Sequence, residues 1–318
     1  MLLSLMIIYL FNLSGQQPSL YWQTDYHLLR AHFMKKLLGL VLGLSVGFAG
    51  CSKQETAQNT DSNSVQTVTI ASTGSDADIW KFIATLPETK EAGVKLDVKN
   101  FTDYVSMNTA VANNEIDLNA FQSYAYMVAY NEANKVKIAP LSTTYLEPMG
   151  IYSSKVKSLE EFKDGSTIAI PNDGANESRA LLLLQSAGLI KLKADFNNVK
   201  GTTADVLENT KKITIKPIQM ATAVRVKDEV DAIVLGNTLA MEGGLNVLKD
   251  AIFYEPVDQS TKMNVNILAV SDARKNDATL LKVGTLYHLP AVQAYVDEHF
   301  GGTKVSVNKE TSYLTDAQ

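Results

Sequence analysis

Cysteine is nearly absent. The chain holds one, Cys51, in 318 residues, so no internal disulfide can staple it. Histidine is almost as scarce, with four in all and only His288 and His299 beyond residue 50. There is no HExxH pair and no His/Cys/Asp cluster at metal-ligand spacing, which argues against a histidine-rich metal receptor. Neither a GxSxG elbow nor a GxxxxGK phosphate loop occurs. Ser154-Lys155-Val156-Lys157 matches SxxK, but neither SDN nor KTG accompanies it. Carboxylate pairs such as Glu160-Glu161 and Asp228-Glu229 read as solvated helix faces. No nucleophile–base pair can be assembled from these residues. The inventory points to a binding protein rather than an enzyme, with no cofactor and no metal expected. A basic patch is missing too, and the formal charge of −5 argues against a nucleic-acid partner.

The N-terminal region is patterned. Met34-Lys35-Lys36 forms a positive start, Leu37–Phe48 an apolar run, and Ala49-Gly50 small residues directly before Cys51. The run is too short to span a bilayer as a helix. Residues 1–33 add a second apolar run, Met1–Leu13, with no basic residue before it. They are expected to be an over-extended start, with Met34 the initiator; a two-segment membrane anchor is the alternative. Removing residues 1–50 takes away Arg30, Lys35, Lys36 and Asp25 and leaves 26 basic against 33 acidic residues. Residues 51–64, rich in Gln, Asn, Ser and Thr without periodicity, read as a flexible tether.

With 46% hydrophobic residues, the remainder is long enough for two globular lobes. Strand and helix patterns alternate: Val65–Ala71 as strand, then Ile79, Phe82, Ile83 and Leu86 on one helical face ended by Pro87. Val94–Val98 is a strand, a helix runs through Asn114, Ile116–Phe121 is a third strand and Ser123–Asn134 a third helix. Val136–Tyr145 and Met149–Ser153 look like strands leaving this first lobe. A second, independent βα alternation covers 154–255 with strands at Ile168–Ile170, Ile213–Ile218 and Asp231–Leu235. Asn264–Val270 is a further strand, and helices at Ala278–Leu286 and Pro290–Glu298 are expected to return to the first lobe. The fold class is therefore α/β, with lobe I from 65–153 and 256–318, lobe II from 154–255, and a hinged cleft between them.

One stretch, Ile168–Lys193, organises the whole. It reads as strand, turn at Asn172-Asp173-Gly174, and a helix with Arg179 near its start. A helix N-terminus is already partly positive, so a cation there needs a negative neighbour. Two readings fit: an ion pair with Asp173 or Glu177, or a bound anion. Phe101, Phe121, Asn172 and Asn237 follow strands directly, where ligands bind in open α/β sheets. Singly, the aromatics also read as core and the Asn residues as turn formers or caps. As a set with Arg179 they describe a pocket with an apolar wall and a carboxylate anchor.

Five stretches carry a family resemblance: FTDYV (101–105), EIDLNAFQ (115–122), IPND…SRALLLLQSAGLIKLK (170–193), IVLGNT (233–238) and NVNILAV (264–270). In this order they resemble the methionine-binding lipoproteins of ABC transporters, the NlpA/MetQ family. The segment before Cys51 is similar to a bacterial lipoprotein signal, although Phe48 stands where Leu is usual. The resemblance implies cleavage after Gly50, a diacylated Cys51, and a membrane-tethered protein on the extracytoplasmic face; a buried structural cysteine is the alternative. It also implies a type II periplasmic-binding-protein architecture with a hinge. As partners it implies a small amino-acid ligand, methionine in either enantiomer, and a permease driven by a separate ATPase. Phe101, Tyr104, Phe121 and Tyr126 would line the side-chain pocket. Arg179 would grip the ligand carboxylate with Asn176 beside it, and Asn237 and Asn266 would hold the ligand's polar end. This chain departs from the family at Ser123 and Ala125, where His and Pro are common. A surface adhesion lipoprotein on the same fold is the alternative function.

Overall fold

A computed structural model of the chain describes residues 65–257 and 259–315. The expected extension, signal segment, Cys51 and tether lie outside the described residues. In chain order the principal elements are β1 (Gln66–Ser72), α1 (Gly74–Thr85), β2 (Val94–Asn100), α2 (Tyr104–Ala112), β3 (Leu118–Ser123), α3 (Tyr124–Asn134), β4 (Ile138–Thr143) and β5 (Met149–Tyr152). There follow β6 (Thr167–Pro171), α4 (Gly174–Ser186), β7 (Thr214–Ile218), β8 (Ala232–Gly236), α5 (Asn237–Glu242), β9 (Ala251–Tyr254), β10 (Asn266–Ser271), α6 (Ala278–Leu286) and α7 (Pro290–Phe300).

These elements build two five-stranded sheets of the same design. The first has the order β2-β1-β3-β10-β4 and the second β7-β6-β8-β5-β9. In each, four strands run in one direction and the fifth, β10 or β5, lies antiparallel between two of them. The chain leaves the first sheet between β4 and β5 and returns between β9 and β10. This is the expected α/β two-lobed architecture, with the type II strand order repeated in both lobes.

Each lobe has its own core. Beneath the first sheet, Val68, Ile70, Trp80 and Leu268 pack with Leu280, Val283, Val292 and Phe300, so α6 and α7 do return to the first lobe. In the second, Ile151, Ile168 and Ile170 meet Leu181, Leu184 and Val234. Fully burying side chains of this size contributes about 1.5–3 kcal/mol each. α1 shows the local logic: Ile79, Trp80 and Ile83 face inward, Leu86 is extended, and Pro87 opens a separate short helix. Asp78, Lys81 and Thr85 are left to solvent.

Two expectations change. Val136–Tyr145 does not leave the first lobe: β4 pairs with β10 at that sheet's edge. Met149–Tyr152 does leave, pairing with β8 and β9 in the second sheet, so the lobe boundary falls before Met149 and not after residue 153. Alternation identifies a strand but carries no information on which sheet accepts it.

His288 is half-buried. Its Nε2 lies 2.9 Å from the Thr143 carbonyl, while Nδ1 is sealed without a partner. Burial lowers its pKa, because protonation would place a second N–H where nothing accepts it. The unfolded chain takes up this proton near pH 6.5 and the folded chain only at lower pH. Below about pH 6.5 the unfolded state therefore binds more protons, and this contribution to stability is lost as pH falls. Urea unfolding at pH 7.5 and 5.5 should show a drop for the wild type that is smaller in His288→Gln; equal drops would contradict the assignment.

Candidate functional site

The carboxyl ends of both sheets face one cavity, where open α/β sheets place ligands. Its atom-free space, mouth included, is about 550 Å3. Lobe I contributes Thr73 and Asp76 from the start of α1, Tyr104, the Phe121–Ser123 end of β3, Tyr126 and Asn266. Lobe II contributes Asn176 and Arg179 from the first turns of α4, Met220, and Gly236, Thr238 and Leu239 around the start of α5, while Glu147 enters from the first crossover.

One wall is aromatic. Tyr104 and Phe121 have ring centroids 5.2 Å apart, and Tyr126 meets Phe121 edge-on at 5.8 Å. Such pairs add roughly 0.5–1.5 kcal/mol beyond the area they bury. Burial raises the hydroxyl pKa of both tyrosines, so they stay neutral. Behind Phe121 the fully buried amides of Asn108, Asn119 and Gln122 bond one another. Asn108 Oδ1 accepts from Gln122 at 2.6 Å and from Asn119 at 2.8 Å, which fixes the end of β3. Ser123 accepts from the Tyr126 N–H at 3.2 Å and caps α3.

Opposite this wall lies Arg179. Neither Asp173 nor Glu177 pairs with it. Asp173 caps α4 through the Asn176 N–H and amide, and Glu177 accepts from the Thr203 N–H. The counter-ion is Glu255, 76 residues away: Nε lies 2.9 Å from Oε1 and Nη2 2.5 Å from Oε2. Nη2 also donates to the Glu147 carbonyl at 2.8 Å. Burial opposes the charge, but Glu255 outweighs it and holds the guanidinium protonated. Nη1 makes no hydrogen bond among the described residues. The forked face of Arg179 thus grips the two crossovers, and one N–H edge is left for the cavity.

A second buried cation lies beside it. The Lys304 ammonium is inaccessible to solvent and donates to Asp76 Oδ1 at 2.9 Å, Glu147 Oε2 at 2.7 Å and Thr238 Oγ1 at 2.8 Å. It also stands 3.9 Å from the centre of the Tyr145 ring, whose hydroxyl donates to Asp76 at 2.7 Å. Burial works against the Lys304 charge, yet Asp76 and Glu147 more than restore it. The same burial pushes the Asp76 carboxyl up, with Lys304 pulling it only partly back. Burial also acts on Glu147, but Lys304 and Asn237 hold its carboxyl below the usual range.

Of the expected site residues, Tyr104, Phe121, Tyr126, Asn176, Arg179 and Asn266 line the cavity. Phe101 does not. It lies in a separate surface groove with Val105, Thr109 and Ile116, because its backbone still follows β2 with its N–H on the Ser72 carbonyl. Asn237 is buried behind the cavity rather than on its surface. Its Nδ2 donates to Glu147 and Thr303, and its Oδ1 has no partner. Ser123 faces the cavity, whereas Ala125 is buried outside its lining. Asp76, Glu147, Thr238, Glu255 and Lys304 carried no local signal, since each meets its partners only through the tertiary fold. Among the described residues no cluster of three His, Cys, Asp or Glu could hold a metal ion.

Comparison with known proteins places these features in a family. A model of the NlpA lipoprotein family matches residues 68–308. The chain is 34% identical to a probable D-methionine-binding lipoprotein MetQ of Pasteurella multocida, over 85% of this chain and 97% of the relative. It is also 34% identical to outer membrane lipoprotein 2 of Mannheimia haemolytica, over 77% of this chain and 89% of the relative. A solved nutrient-binding protein of Burkholderia cenocepacia, bound to methionine, superposes with a TM-score of 0.72 at 34% identity, covering 75% of this chain and 99% of that one.

The Lys304 network sets a testable cost. Lys304→Met leaves two buried carboxylates without their shared cation, and removing one partner of a buried ion pair costs about 3–5 kcal/mol. Urea unfolding should show a loss of that order; a loss well under 1 kcal/mol would mean that water or a rearrangement replaces the ammonium.

Proposed function

The chain belongs to the NlpA lipoprotein family, and on that premise we propose that it is the solute-binding component of an ABC importer, receiving a small amino acid, methionine in L or D form, in the interlobe cavity. After signal cleavage the protein is tethered through lipid on Cys51 at the extracytoplasmic face of the cell membrane. Two acyl chains suffice for stable anchoring. The closed lobes then present their ligand to a membrane permease powered by a cytoplasmic ATPase. Catalysis has no part in this role.

The observation that carries the reading is the polarity of the cavity. One wall is the Tyr104–Phe121–Tyr126 cluster, suited to an apolar side chain, and the other offers the free Nη1 edge of Arg179. The Asn266 amide, which makes no side-chain hydrogen bond among the described residues, lies in the same lining. Asn176 is held by Asp173 beside Arg179. Asn237 supports the site through Glu147 and Thr303. The Pasteurella relative, a probable D-methionine-binding lipoprotein, and the Burkholderia protein, solved with methionine bound, support that ligand. Ser123, facing the cavity where the family commonly carries a ring, is where selectivity would differ.

Arg179→Ala alone would orphan buried Glu255, so the informative variant removes both charges. Arg179→Gln/Glu255→Gln should keep the fold, judged by its melting profile, and weaken methionine binding about tenfold or more, the loss of a charge-assisted hydrogen bond. Calorimetric titration giving an unchanged Kd would contradict Arg179 as the carboxylate anchor.

A further inference from the structure

Two carboxylates line the cavity, Asp76 and Glu147, and their oxygens are not equally engaged. Both oxygens of Glu147 receive donors: Thr238 at 3.2 Å on Oε1, and Lys304, Asn237 and Thr238 on Oε2. Glu255, just behind, is taken by Arg179 and the Met149 N–H. Asp76 differs. Its Oδ1 is clamped by the Tyr145 hydroxyl and the Lys304 ammonium, while Oδ2 has no hydrogen-bond partner among the described residues. Nor is Oδ2 among the sealed, unpartnered buried atoms, and the residue lines both this cavity and the small pocket behind it.

The charge count points the same way. Asp76, Glu147 and Glu255 face only Lys304 and Arg179, leaving one buried carboxylate in excess. A buried charge without a counter-charge is costly, and an arriving cation would relieve it. Asp76 is also the third residue of α1, in the helix's partly positive first turn, which offsets part of the burial that pushes its carboxyl up, and an arriving ammonium would offset more.

We propose that Asp76 is the acceptor for the ligand's α-ammonium group, its Oδ2 making the contact while Tyr145 and Lys304 hold Oδ1. The inference rests on the amino-acid reading above and adds the requirement that the ligand keep a free amine. Arg179 Nη1 and Asp76 Oδ2 are then the paired ends of a zwitterion site. Asp76 is held in place before the ligand arrives, so little ordering cost falls on binding.

The test compares methionine with 4-(methylsulfanyl)butanoic acid, the same molecule without its amine, by calorimetry on the full chain in detergent. Wild type should prefer methionine by about tenfold to a hundredfold, the range for a hydrogen bond between charged groups. Asp76→Asn should fold, since Lys304 keeps Glu147 as its partner. It should lose most of the methionine affinity and hold the des-amino acid within about threefold, so that the preference collapses. An Asp76→Asn protein that still prefers methionine as wild type does would overturn the proposal. So would an equal loss of affinity for the des-amino acid in Asp76→Asn, because the effect would then be structural. Equal wild-type affinity for the two compounds would overturn the ammonium contact while leaving the receptor reading intact. Wild-type binding of neither would remove both.

Discussion

Two buried cations hold the lobes to their crossovers. Arg179 reaches from α4 in the second lobe to Glu255 on the returning crossover and to the Glu147 carbonyl on the outgoing one. Lys304 reaches from the C-terminal segment to Asp76 of the first lobe, Glu147 of the crossover and Thr238 of the second. Each cation loses hydration on burial, and only multiple charged partners offset that loss. Glu147 serves both. The cost of leaving any of these groups alone ties the cavity floor to one arrangement of the crossovers.

From that floor the cavity acquires its polarity. Because the forked side of Arg179 is turned to Glu255, a single N–H edge remains for a ligand, and because Lys304 sits on Asp76 Oδ1, a single carboxylate oxygen remains. The aromatic wall stands apart on β3, α2 and α3, held by the amide triad behind it. Above the floor the lobes meet again. Glu132 of α3 pairs with Lys200, and the Glu242 carboxylate at the end of α5 occupies the space a side chain at Gly74 would need. Gly74 also has φ of +46°, so this position at the head of α1 favours glycine on two grounds. These rim contacts involve exposed groups and are weak individually. In the proposed receptor, parting them would be the low-cost step of ligand entry, with the buried floor intact.

The elements themselves were legible in the sequence. Ala278–Leu286 emerges as a helix over the expected residues, and the Ile168–Ser186 strand, turn and helix form as their periodicity and capping residues dictate. Local pattern is enough where a face must be buried and a helix end must be capped. It fails where the partner is distant. Arg179 was recognisable as a cation needing a counter-charge, yet Glu255 is brought to it only by the return of β9 beside β5. Lys304 lies in a segment with no periodicity, and its role exists only once α1, α5 and the first crossover converge. Phe101 misled for the same reason: following a strand put it in the right region, and one residue of strand geometry turned it to the outer groove.

The central claim, that this cavity receives an amino acid, is tested most directly by a thermal-shift panel on the full chain after an unfolding and refolding step that strips carried-over ligand. The panel holds both methionine enantiomers, the other amino acids and short peptides. A ligand at a hundred times its Kd adds about 2.7 kcal/mol to stability, a clear rise in Tm. The account predicts such a rise with methionine. A rise confined to another amino acid would keep the receptor and place the difference at Ser123. No rise with any compound would contradict the claim and leave a lipoprotein that uses this fold for contact with other surfaces.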